Sequence, residues 1–235
     1  METSSLTWLA ADYHVPATYS CRVPMSSQTC ALVSPSPGPA TVRLALIRTS
    51  IEVFGLPYVK RVLFPHIRAM SVQIRPPERV AISPQVLRAY KVENTTETLI
   101  EAPVSREMAH AEGPMTIYLE VPLSLREPFS QVLSMIGYWG QASGLAWCQS
   151  IQIQAPRPEQ CVRSLRLFPE QVPARPFFSC ILSEFRDPEV AWEEVMPMIG
   201  AGHKNPLRLD VYVWPLALSQ EQGSGKLYVR TSFAD

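Results

Sequence analysis

A chain of 235 residues with 46% hydrophobic side chains can bury a real core, either as one large domain or as a domain carrying an insertion. Its 21 Lys/Arg balance 21 Asp/Glu, which excludes a protein that attracts polyanions over its whole surface. Pro outnumbers Gly 23 to 10, so short elements and ordered irregular connections are expected rather than long helices. The five cysteines, Cys21, Cys30, Cys148, Cys161 and Cys180, are odd in number and lack Cys-x-x-Cys spacing, as in a reduced cytoplasmic protein. His14, His66, His110 and His203 are too scattered to form a metal site, so neither a metal nor a cofactor is expected. The N-terminus has no basic stretch before an apolar one, which argues against a signal peptide. No apolar run approaches the roughly 20 residues of a membrane span.

Residues 6–13 read as a central strand, apolar on both faces. Residues 19–37 form a polar, Pro-rich loop that delivers a helix over 38–54. Pro39 suits its first turn, Gly55 its C-terminal cap, and Pro57 prevents continuation. Its apolar stripe comprises Val42, Leu44, Ala45, Leu46, Ile47, Ile51 and Val53, while Arg43 and Arg48 have no evident periodic partner acids. Such a loop and helix N-terminus can be an anion cradle, because free N–H groups and the helix dipole both favour phosphate. The same residues also suit an ordinary loop and a core helix.

A shorter helical piece is expected over 58–70, interrupted by Pro65, and a strand over 71–75. Residues 79–82 form a further short strand. Residues 83–114 are polar, lack clear periodicity and are too long for an ordinary loop, which suggests a protruding hairpin that could be cut from 93 to 111 without loss of the fold. A strand over 115–121, a helix over 127–135, a glycine-rich turn over 137–144 and a strand over 147–154 follow. Beyond a Pro/Arg linker at 156–176 come a strand over 177–182 and a helix over 188–198, whose Glu193-Glu194 pair suits a solvated face. Strands over 207–214 and 226–233, joined by residues 216–225, end the chain. The fold class expected is α+β: a ferredoxin-like (βαββαβ) core over 1–155 with a hairpin insertion at about 83–114, which the resemblance given below makes an RRM-type core with a thumb, and a smaller β-rich C-terminal part over 156–235.

Charge is unevenly placed. Residues 40–91 hold nine Lys/Arg against two acids, so the remainder is acidic. That pattern suits a local polyanion site with other surfaces left for protein partners, or a scatter across several faces. Arg22, Arg43, Arg48, Arg75, Arg79, Arg88 and Lys91 are candidates to hold phosphates, with Gln28 and Gln141 as hydrogen-bonding candidates. Tyr13, Tyr90 and Trp139 are candidates to stack on unpaired bases; core packing is the alternative for Trp139 and the expectation for Trp147. No Walker loop or nucleophile elbow is present. Metal-free RNA cleavage by a Tyr13, His14 and Tyr19 set near Arg22 is the one catalytic alternative.

The order Arg22-Val23-Pro24, Gln28-Thr29, then residues 34–41 (SPSPGPAT) and the small-residue helix resembles the start of one CRISPR-associated family. This is the RAMP superfamily subunit that caps the crRNA 5′ handle in Cascade-like complexes, the Cas-five family. The sequence departs from it where Arg43-Leu44 replaces the usual helix glycine. The resemblance implies a non-catalytic antiviral-defence protein with a ferredoxin-like core. Its thumb reaches over the guide, with Arg88, Tyr90 and Lys91 touching RNA. The partners implied are crRNA, a repeating backbone subunit, a large subunit and, indirectly, the target nucleic acid, in a cytoplasmic ribonucleoprotein away from membranes. Some members of the family cut the repeat, which leaves a repeat-cleaving endoribonuclease as the alternative. A protein-interaction subunit with no direct RNA role is the third.

Overall fold

The computed structural model describes residues 5–27, 30–93, 98–140, 144–166, 177–186, 188–195 and 206–234. Strand β1 (Leu6–His14) is followed by three short strands, β2 (Cys21–Arg22), β3 (Cys30–Ala31) and β4 (Val33–Ser34). Helix α1 (Pro39–Phe54) ends at Gly55, whose φ of +77° is open to a residue without Cβ. Helix α2 (Leu56–Tyr58) passes through a π-helical turn, Val59–Leu63, into α3 (Phe64–Ala69), so the helical path runs on past Pro65, which sits where the π turn gives way to α3.

Next come β5 (Val72–Arg75), the long pair β6 (Arg79–Val92) and β7 (Leu99–Glu112), β8 (Met115–Pro122), α4 (Arg126–Met135) and β9 (Trp147–Ile153). The C-terminal part holds β10 (Arg163–Ser164), β11 (Phe177–Phe185), the single turn α5 (Trp192–Val195), β12 (Leu207–Gln222) and β13 (Gly225–Arg230). The helix expected over 188–198 is thus a short turn as far as the described residues go. The expected ten-residue connection before the last strand is mostly strand, because β12 pairs with β13 as far as Gln222↔Gly225.

Two sheets dominate this mixed α/β fold. The first has the order β5-β8-β1-β9, with every pairing antiparallel. Leu9, Ala11, Tyr13, Ile74, Ile117 and Leu119 are buried in the same core cluster as Val42, Leu46, Phe129 and Leu133 from α1 and α4. The second sheet has the order β10-β12-β13-β6-β7-β3, with β11 also on β12. The hairpin therefore starts at Arg79 rather than residue 83, and β13 extends its sheet into the C-terminal part. One core cluster joins residues from both sheets, including Tyr212, Trp214 and Leu216.

The sheets are tied by a buried ion pair. Arg43 Nη1 donates to Glu184 Oε1 at 3.0 Å, and Nη2 donates to the Met70 carbonyl at 2.7 Å. Glu184, on β11, also accepts from the Phe185 N–H at 2.7 Å. Arg48 does have an acid on its own helix, Glu52 at 3.9 Å, at i,i+4 spacing; the Arg43 partner lies 141 positions away.

Two outcomes follow. Arg43→Met leaves Glu184 without its cation and should cost about 3–5 kcal/mol in denaturant unfolding, whereas Arg43→Met with Glu184→Leu should cost less than Arg43→Met alone. A cut of residues 93–111 removes buried Ala109, which exchanges both backbone hydrogen bonds with Tyr19 at 2.8 and 2.9 Å. That cut should abolish cooperative melting, while replacing only residues 86–105 by a two-residue turn should preserve it.

Candidate nucleic-acid interface

The helix N-terminus is closed. Residues 33–40 are all buried. Trp214 of β12 donates from Nε1 to Ser36 Oγ at 2.8 Å, and Ser34 Oγ donates to the Ser36 carbonyl at 2.7 Å. A Cβ on Gly38 would stand 2.8 Å from Leu182 Cδ1 of β11, so any larger residue here would have to displace that leucine side chain. The C-terminal sheet occupies the place where an anion would sit. The reading as an ordinary loop and core helix holds, and the anion-cradle reading does not.

Three expected RNA contacts are interior residues here. The Tyr13 hydroxyl donates to the Leu133 carbonyl at 2.6 Å, and its ring meets buried Trp139 edge-on with centroids 4.9 Å apart. Neither aromatic face is open for a base. Buried Arg43 is held by Glu184 and Met70, as described. Arg75 is half-buried on the first sheet, donating to Thr116 Oγ1 at 2.8 Å with Asp12 at 3.6 Å. Arg48 stacks on Tyr138, its guanidinium carbon 3.7 Å from the ring centroid. Trp147, expected in the core, is instead 49% exposed, with its ring 5.0 Å from His14.

The exposed candidates lie on the segment of β2 and along the long hairpin. β2 pairs antiparallel with β4, through Cys21↔Ser34 and Arg22↔Val33, and β3 runs parallel to β7 through Cys30↔Ser105 and Ala31↔Arg106. The Val33 N–H donates to Glu107 Oε2 at 3.0 Å. The loop that carries Arg22 therefore lies along the long hairpin, an arrangement that no local pattern shows. Arg22 is exposed and bonds back to Ser26, from Nη2 to its carbonyl and from Nε to Oγ at 3.3 Å. That bond spans a turn in which Met25, 81% exposed, takes a φ of +65°, a costly conformation for a side chain with Cβ. Sequence reasoning missed Met25; a large apolar residue in a Pro-Met-Ser-Ser turn was the available signal.

Along β6 the pleat decides what each residue can do. Val80 and Ile82 are buried, opposite Ala111 and Ala109. The same face continues outward through Val86, Arg88, Tyr90 and Val92, all exposed. A row that is core at the base of the hairpin becomes a solvent-facing strip at its tip. Arg88 is 80% exposed on its side chain, with Glu101 at 3.5 Å, and Tyr90 is 64% exposed. Arg79, on the other face, pairs with Glu112 at 3.4 Å. Lys91 lies in β6, with its side chain outside the described residues, as are Gln28 and Gln141 altogether.

The phenols of the catalytic alternative are locked. The Tyr19 hydroxyl donates to the Pro35 carbonyl and is fully buried. Burial, with a neighbouring cysteine second, pushes both the Tyr13 and Tyr19 phenols well above their ordinary value. Neither can lose its proton to become a base near neutral pH. Among the described residues no helix is long and apolar enough to cross a membrane.

No protein-family model matches the chain. The CRISPR-associated protein Cas5 of Archaeoglobus fulgidus is 21% identical over 216 residues, covering 88% of this chain and 92% of that protein. Among solved structures, a chain of the Type III-B Cmr-beta complex bound to cognate target RNA aligns over 64% of this chain and 62% of its own, at a TM-score of 0.49 and 11% identity. A CRISPR protein from Archaeoglobus fulgidus aligns over 97% and 92%, at a TM-score of 0.43 and 11% identity. The match runs through nearly the whole of both sequences: this chain is similar to the CRISPR-associated protein Cas5.

Proposed function

We propose that this chain is a non-catalytic subunit of a CRISPR effector complex that holds the 5′ handle of the crRNA. The observation that carries the reading is the long hairpin: its core-facing row runs on into solvent and presents Arg88 and Tyr90 beyond the point where β3 pairs with β7. Near-full-length similarity to Cas5 supports it. So does the order of the first sheet, since two strand-helix-strand units giving β5-β8-β1-β9 suit a ferredoxin-like core with the hairpin as its thumb. On this reading residues 1–155 form the RAMP domain and 156–235 an extension that completes the thumb's sheet. The partners are crRNA, a repeating backbone subunit and a large subunit, in the cytoplasm.

The RNA-contacting set then narrows to Arg22, Arg79, Arg88, Tyr90 and Lys91, with Arg48, Gln28 and Gln141 as further members. Cations hold the phosphates, and Tyr90 offers a face to one unpaired base. The buried phenols of Tyr13 and Tyr19 weigh against the repeat-cleaving alternative.

Binding of labelled repeat-derived RNA tests the assignment. Tyr90→Ala should weaken it by about 1–3 kcal/mol, and Arg88→Glu should also lower the slope of log affinity against log salt by about one. Unchanged affinity and slope in both variants would overturn the hairpin assignment. Arg43→Glu is no test of binding, since it places two carboxylates together in the interior. In the same assay no cleavage product should accumulate between pH 6 and 9, a range that lies below the raised phenol values of Tyr13 and Tyr19. Product that disappears in a Tyr13→Phe or Tyr19→Phe variant would establish the endoribonuclease instead.

A further inference from the structure

The two edges of the first sheet are treated differently. At β5 the chain covers its own edge: the Val162 N–H donates to the Ile74 carbonyl at 2.8 Å, and Cys161 packs with Ala10 and Tyr118 on that sheet. At the opposite edge β9 pairs only with β1, and among the described residues no segment bonds to its other side. The Gln154 N–H donates to the Trp8 carbonyl at 3.2 Å. By antiparallel alternation Gln152 also faces β1, and the N–H and C=O groups of Ile151 and Ile153 point away from it.

An open edge is ordinarily blunted by Lys, Pro or another charge. β9 has none of these: residues 147–154 read WCQSIQIQ, eight residues without an ionisable acid or base other than the thiol of Cys148. Around it the surface is apolar. Ile153 is 62% exposed, Trp147 and Leu145 are exposed, and α4, which packs on β9, ends in exposed Met135. RNA would find no cation on this strand for its phosphates, whereas an extended polypeptide finds main-chain partners and apolar contacts.

We infer that β9 is a docking edge for an extended, uncharged segment of a protein partner, which adds as a fifth strand to the first sheet. The segment hydrogen-bonds Ile151 and Ile153 through its main chain and sets apolar side chains beside Ile153 on the helix-covered face. On the outer face it meets Ser150 and Gln152, so polar side chains suit the alternate positions. The inference rests on the reading of the chain as an effector subunit, and names the surface and chemistry by which another subunit is held.

Hydrogen exchange tests it, on the free protein and on the ribonucleoprotein formed by co-expression with the neighbouring subunits and a guide RNA. The Ile151 and Ile153 amides should exchange fast in the free chain and slow by at least about tenfold in the assembly. Ile153→Pro removes an outward N–H, which an edge strand tolerates, and Ile153→Lys adds an edge charge. Both variants should keep cooperative melting and wild-type affinity for isolated handle RNA, yet lose most of their incorporation into the complex. Fast exchange at both residues within the assembled complex, or full incorporation of both variants, would overturn the inference and leave the RNA-binding role standing. Protection that rises with concentration in the free chain would assign the edge to a second copy, and the partner inference would fall. A wild-type chain that takes up neither RNA nor subunits would remove the effector reading and this inference with it.

Discussion

The seating of the C-terminal strands on the start of α1 is the constraint that the other features depend on. Trp214 enters the shared core with its Nε1 on Ser36, and the Leu182 side chain packs closely on Gly38. A helix N-terminus has unpaired donors and a positive potential. Here that end is covered by apolar side chains and closed by a turn that bonds to itself through Ser34 and Ser36. The consequence is mechanical as well as chemical. With β12 fixed there, β13 is placed beside β6, and the hairpin projects from a sheet anchored at both ends of the chain.

The arginines are divided by the same constraint. Arg43 lies beneath the junction and answers Glu184; Arg230 donates to the Pro76 carbonyl at 2.7 Å and has its proton affinity lowered, first by burial and then by Arg75. These cations hold sheets together. Arg22, Arg79 and Arg88 lie outside the junction with their guanidinium groups at the surface, where the ion pairs of Arg79 with Glu112 and Arg88 with Glu101 contribute little. The arginines are therefore two populations, one structural and one available to an anionic partner.

Much of this was legible in the chain itself. The strands over Leu6–His14, Val72–Arg75, Met115–Pro122 and Trp147–Ile153 and the two main helices follow from period-two and 3.6-residue patterns, from Pro39 at a helix start and from Gly55 at its end. These signals are local, and local physics reads them. The insertion was recognisable as a protruding hairpin, but not its start at Arg79 or its register, because Pro84, Pro103 and scattered charges blur its alternation.

What the sequence by itself determined is the element order and the candidate side chains: the arginines of residues 40–91, Tyr90, and the small-residue helix after a Pro-rich loop. The tertiary structure alone decided which of them face solvent. Tyr13 and Trp139 meet in the interior, Arg43 finds its acid 141 residues away, and Tyr90 stays in water although Ile82, on the same face of the same strand, does not. The reason is physical. Residue type and period state what a side chain can do, but burial depends on which distant strand arrives to cover it, and that choice belongs to the packing of the whole chain.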